Sequence, residues 1–72
     1  EYRLGNLDAA EGYLRKALSK RNDPEIAYHL SEVLFAAGKK REAKKVWLKA
    51  KKEFPDDEKL NSISEKMKGN SL

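Results

Sequence analysis

Apolar residues recur along this chain at spacings of three and four, in four separate segments divided by polar or turn-forming residues. In the first, Leu7, Ala10, Leu14, Ala17 and Leu18 form one stripe of a helix. The second follows Asp23-Pro24-Glu25, where Asp suits an N-cap and Pro the first helical position. Its apolar residues are Ile26, Ala27, Leu30, Val33, Leu34 and Ala37, and Gly38 is a natural stop. The third carries Ala43, Val46, Trp47 and Ala50, and closes at Phe54-Pro55. The fourth opens on the acidic Asp56-Asp57-Glu58, continues through Leu60, Ile63 and Met67, and ends at Gly69. No segment alternates with period two, so the pattern predicts helices alone. The connections are a few residues long, which makes successive helices antiparallel neighbours.

The chain also matches itself at an offset of 33 residues. Gly5 falls on Gly38, Ala10 on Ala43, Lys16 on Lys49, Ala17 on Ala50, Asp23 on Asp56 and Glu25 on Glu58. Ser31 falls on Ser64 and Glu32 on Glu65, while Leu14 meets Trp47, Leu30 meets Ile63, Leu34 meets Met67 and Tyr2 meets Phe35. A period of this size in helical sequence means stacked helix pairs. The small residues Ala10, Ala17, Ala27, Ala43 and Ala50 permit close helix approach, and Leu14, Leu30, Leu34 and Trp47 fill the space between.

These residues resemble the tetratricopeptide repeat, whose pattern is Trp-x2-Leu-Gly-x2-Tyr, then Ala-x3-Phe, a second Ala and a closing Pro. Leu30, Ala43, Trp47, Ala50 and Pro55 fall on that pattern, and Gly38 with the basic pair after it fits the turn between helices. Three positions depart from it: Ala27 stands for Trp, Ser31 for Gly and Leu34 for Tyr. The resemblance implies an all-α, antiparallel helix-hairpin repeat (an α–α superhelix) with a C-terminal capping helix. Residues 1–23 would be a partial repeat, 24–55 a full one and 56–69 the cap, whose Leu60, Ile63 and Met67 face inward while Lys59, Ser62, Glu65, Lys66 and Lys68 face solvent. Tyr2 and Leu4 would end a preceding helix, leaving an apolar edge around Tyr2, Leu4 and Leu7 for a longer array or a second copy of the chain. The stretch from Asp23 to Trp47 is also similar to the last repeats of large bacterial proteins of this family, some of them outer-membrane lipoproteins. That likeness implies a periplasmic or envelope adaptor and leaves a cytoplasmic one open.

Length and composition narrow the chemistry. Seventy-two residues make one small domain, burying about 60% of the unfolded surface. With no Cys there is no disulfide, thiolate nucleophile or thiolate metal site. No apolar run approaches the roughly 20 residues that span a bilayer. The chain opens at Glu1 without Met, which suits a piece of a larger protein. No cofactor is implied, since Gly5, Gly12, Gly38 and Gly69 are isolated and form no phosphate loop. Nor is catalysis, since Ser19, Ser31, Ser62, Ser64 and Ser71 lack any nucleophile elbow or paired base. Glu25, His29 and Glu32 share one helix face, a weak metal constellation outweighed by ordinary solvated charge.

The net charge is +4, and eight of the fourteen residues from Lys39 to Lys52 are Lys or Arg. Such a run could meet an anionic polymer such as nucleic acid. Its single aromatic, Trp47, is assigned to the core by its register with Leu14, so the lysines read chiefly as a wet helix face and nucleic acid is the disfavoured partner. The favoured partner is a protein or peptide. In the family, the first helix of each pair lines a concave groove that holds a partner segment, which here implies Glu25, Tyr28, His29, Glu32, Phe35 and Ala36. Tyr28 and Phe35 stand seven apart beside the Leu30/Leu34 stripe, in a mildly acidic setting; packing against an absent preceding helix or against the cap helix is the alternative use for both rings. The Lys/Asn/Arg clamp that some family members apply to a C-terminal carboxylate has no counterpart at these positions.

Overall fold

A computed structural model describes residues 4–68. Five helices follow in order: α1 (Leu4–Lys20), α2 (Pro24–Ala36), α3 (Lys40–Glu53), α4 (Glu58–Ser62) and α5 (Ser64–Lys68). No strand occurs among the described residues. The architecture is an all-α helix-hairpin repeat closed by a C-terminal cap. Helix α2 is its centre, packing against α1, α3 and α4, while α3 also packs against α4 and α5.

The ends of α2 follow from single residues. The Asp23 side chain accepts a hydrogen bond from the Glu25 amide at 2.8 Å, and Pro24 occupies the first helical position, where its missing N–H is no loss. At the other end Gly38 has φ +84, left-handed backbone that a Cβ disfavours. Its amide donates to the Phe35 carbonyl at 3.0 Å and the Lys39 amide to that of Leu34 at 2.9 Å. This paired closure satisfies two carbonyls that the helix end would otherwise leave open.

The core is assembled from all the turns of the repeat. Ala27, Leu30 and Leu34 of α2, Ala43, Trp47 and Ala50 of α3, and Leu60, Ile63 and Met67 of the cap form one buried cluster. Trp47 is 2% exposed, and its indole Nε1 donates to the carbonyl of fully buried Leu60 at 2.8 Å, which ties α3 to α4. The alanines at 27, 43 and 50 are where the helices approach, as their size suggests. Ser31, also fully buried, donates to the Ala27 carbonyl one turn back at 2.9 Å and so hides its hydroxyl without an outside partner.

Three expectations change. Leu4 opens α1 instead of ending an earlier helix, and Gly5 lies within α1. Gly5 thus shares a register position with Gly38 but makes no turn. Second, the cap is not one helix from residue 56. Asp57 caps α4 by accepting from the Leu60 amide at 3.0 Å, and the helix breaks at Ile63 before α5 begins. Ser62 precedes the break, its hydroxyl donating to the Lys59 carbonyl at 2.7 Å, a back-bond that bends helices. The bend lets Leu60, Ile63 and Met67 all reach the core. Third, Leu7 is buried within the chain and is not part of an open edge. Tyr2 and Gly69 lie outside the described residues, as do the side chains of Leu4 and Lys68.

Candidate protein-interaction surface

Helix α2 buries Ala27, Leu30, Ser31, Val33 and Leu34, and the side left over carries the six residues singled out by the sequence. Glu25, His29 and Ala36 are exposed, while Tyr28, Glu32 and Phe35 are half-buried. The rings of Tyr28 and Phe35 pack against the core cluster with their other surfaces outward. Tyr28 and His29 meet edge to face, ring centroids 5.1 Å apart.

The cap contributes two residues that helix periodicity had assigned to solvent. Lys59 Nζ sits 5.9 Å from the centre of the Tyr28 ring and 3.5 Å from Glu25 Oε2. Lys66 Nζ sits 5.5 Å from the centre of the Phe35 ring and 3.3 Å from Glu32 Oε2. Lys40 adds a second ammonium 5.4 Å from Phe35. The face is therefore a ladder in which each aromatic ring lies under a lysine that also meets a glutamate. Its two carboxylates are matched by Lys59 and Lys66, so the expected acidic character is corrected to a balanced one. No periodicity within α4 or α5 could show this, because it depends on lysine side chains reaching across to α2.

The arrangement also separates the weak metal constellation. His29 Nε2 lies 3.6 Å from Glu25, whereas Glu32 is drawn to Lys66. Among the described residues no three His, Asp or Glu side chains are placed to hold a metal ion.

On the basic helix, Lys40, Arg41, Lys44, Lys45, Lys49 and Lys52 are exposed, as is Leu48 at 50%. Trp47 is buried among them and offers no stacking surface. Lys39 points the other way, to Glu11 on α1 at 2.9 Å. The Lys39 ammonium, joined by the Arg15 guanidinium at 2.8 Å, holds the Glu11 carboxyl below the usual carboxylate range. The same contact raises Lys39 above the usual lysine value.

A family model described as "Tetratricopeptide repeat" matches residues 2–66. This chain belongs to the tetratricopeptide-repeat family. The periodicity, the 33-residue offset and the buried Ala43/Trp47/Ala50 set are thereby placed in one frame. No match to the chain was found among curated proteins or among solved structures. Tetratricopeptide repeats are in general protein–protein interaction modules and typically non-enzymatic scaffolds. No described helix is long and apolar enough to cross a membrane.

Proposed function

We propose that this tetratricopeptide-repeat domain is a non-catalytic adaptor that holds a peptide or helical segment of a partner on the α2 face. Glu25, Tyr28, His29, Glu32, Phe35 and Ala36 form its floor, and Lys59 and Lys66 its border. Within it, 24–55 serves as the complete repeat, 1–23 as a partial one and 56–69 as the cap. The observation that carries the reading is the pair of half-buried rings, each roofed by a lysine. Aromatic residues with one surface fixed in the fold and one turned outward suit binding anchors, because little side-chain freedom remains to be lost. The ion pairs beside them are exposed, and such pairs contribute about 0–1 kcal/mol each. A partner's own charges can thus replace them at small cost. The segment that fits best carries an apolar or aromatic anchor with charges of both signs.

Selection of binders from a displayed library of short random peptides tests this. Affinity for the selected peptides should fall at least tenfold, about 1.4 kcal/mol, in Phe35→Ala and in Glu32→Lys, with folding checked by thermal melting. Binders that tolerate both changes but are lost in Lys45→Glu would overturn the assignment of this face.

A further inference from the structure

A cleft of about 500 Å³ opens between α1, α2 and α3, with Leu18, Ala27, Leu30, Val46 and Ala50 among its lining. It lies on the side of α2 away from Glu32 and Ala36. The internal repeat explains it. At the 33-residue offset, Leu14 and Ala27 of the α1–α2 junction correspond to Trp47 and Leu60 of the α3–α4 junction. At the second junction an indole and an isobutyl group are buried, 2% and 0% exposed. At the first, an isobutyl and a methyl group take the same places. Ala27, Leu30 and Ala50 at its floor are themselves buried, 2%, 1% and 4% exposed, so the cleft opens above them, between half-buried Leu18 and Val46. The backbones hold it so, since no Cα of α1 comes within 8 Å of one in α3. Side chains span the gap, with Arg15 of α1 meeting Glu42 at 2.6 Å and Asn22, in the connection after α1, meeting Glu53 at 2.5 Å.

The rim is basic. Lys49 lines the cleft, and Lys45 and Lys52, at i−4 and i+3 from it, extend the stripe along α3. All three are exposed, and among the described residues none of them has a carboxylate within ion-pair distance. Glu53, the one carboxylate in the lining, is engaged by Asn22.

We propose that this cleft docks an acidic segment of a partner protein, which lays one aromatic side chain between Leu18 and Val46 and sets its carboxylates on Lys45, Lys49 and Lys52. A flat ring fits a slot between two helices, and an apolar floor with a cationic rim suits an aromatic residue flanked by Asp or Glu. A nucleic acid would follow the lysines without needing the slot, which separates the two in experiment.

The probe is the acetylated, amidated peptide Glu-Glu-Trp-Glu-Glu, titrated into isotope-labelled protein by NMR. Saturable ring-current shifts are expected at the methyls of Leu18, Ala27, Val46 and Ala50, with the Tyr28 and His29 signals unmoved. Binding should weaken at least tenfold when the peptide's Trp is replaced by Ala, and equally when Ala27→Leu restores the residue of the repeat register. If Ala27→Leu lacks a cooperative melt, Val46→Phe closes the slot from α3 instead. Absence of shifts at those methyls, equal binding of the Trp-less peptide, or full binding by the filled variant would each overturn the proposal. Equal binding of the Trp-less peptide would leave only charge attraction to the lysines.

Discussion

Removing the Trp47 side chain should bring the domain close to unfolding at room temperature. An indole buries roughly 150–250 Å², and at about 25 cal/mol per Å² this amounts to about 4–6 kcal/mol. Some of it survives in Trp47→Ala because Cβ remains and neighbours relax, so large-to-small precedents of about 3–5 kcal/mol are the better guide. To this is added the orphaned carbonyl of fully buried Leu60, which Trp47 satisfies at 2.8 Å. An unsatisfied buried acceptor costs about 1–3 kcal/mol. The sum, about 4–8 kcal/mol, compares with a total stability of roughly 4–11 kcal/mol at 0.05–0.15 kcal/mol per residue. Trp47→Phe retains most of the apolar area but loses the bond, and should cost about 1–3 kcal/mol. Urea unfolding followed by circular dichroism measures both, since the only Trp fluorophore is lost in each variant. The reasoning fails if Trp47→Ala costs less than about 1 kcal/mol, or if Phe is as costly as Ala.

Three smaller perturbations follow. Gly38→Ala forces a side chain into left-handed backbone at φ +84 and should cost about 1 kcal/mol, a drop of about 4–8 °C in melting temperature for a domain of this size. Asp57→Ala removes the acceptor for the Leu60 amide and should cost about 1 kcal/mol, whereas Asp57→Asn should cost much less. Glu11→Gln tests the ion pairs of Glu11 with Lys39 and Arg15 by pH. Because folding lowers the Glu11 pKa, its contribution is fully present above the ordinary value of 4.5 and is lost as pH falls through the lower folded value. Folding raises the Lys39 pKa, so on the alkaline side the loss comes only as pH rises beyond the ordinary 10.5. The stability gap between wild type and Glu11→Gln should therefore be widest near neutrality and shrink below pH 4.5; a gap that widens in acid contradicts the assignment.

Much of the fold was legible because it depends on local chemistry. Asp23-Pro24 caps α2, Gly38 ends it, and Ala43, Trp47 and Ala50 lie on one buried stripe, each for a reason contained within a few residues. What escaped depends on context that spacing does not encode. Gly5 and Gly38 occupy one register position, yet glycine only permits a left-handed turn, and α1 runs through Gly5 without one. The break at Ile63 arises between Ser62 and Ser64, where hydroxyl back-bonding competes with an otherwise regular apolar pattern. Of the candidate face, the α2 half was visible as a stripe, and the lysine half was not. Lys59 belongs to α4 and Lys66 to α5, and both join the face only through the length of their side chains. Ala27 shows the same limit: its smallness was apparent, while the cleft beside it required the positions of α1 and α3.

The most direct test of the α2 face as the binding surface is a map of amide NMR shifts on adding a peptide selected from an unbiased library. The account predicts shifts concentrated in Glu25–Ala36 and in Lys59–Met67, with the Lys59 and Lys66 ammonium signals moving as their glutamate partners are exchanged. Shifts confined to α1 and α3, with Tyr28, His29 and Phe35 unchanged, would contradict it.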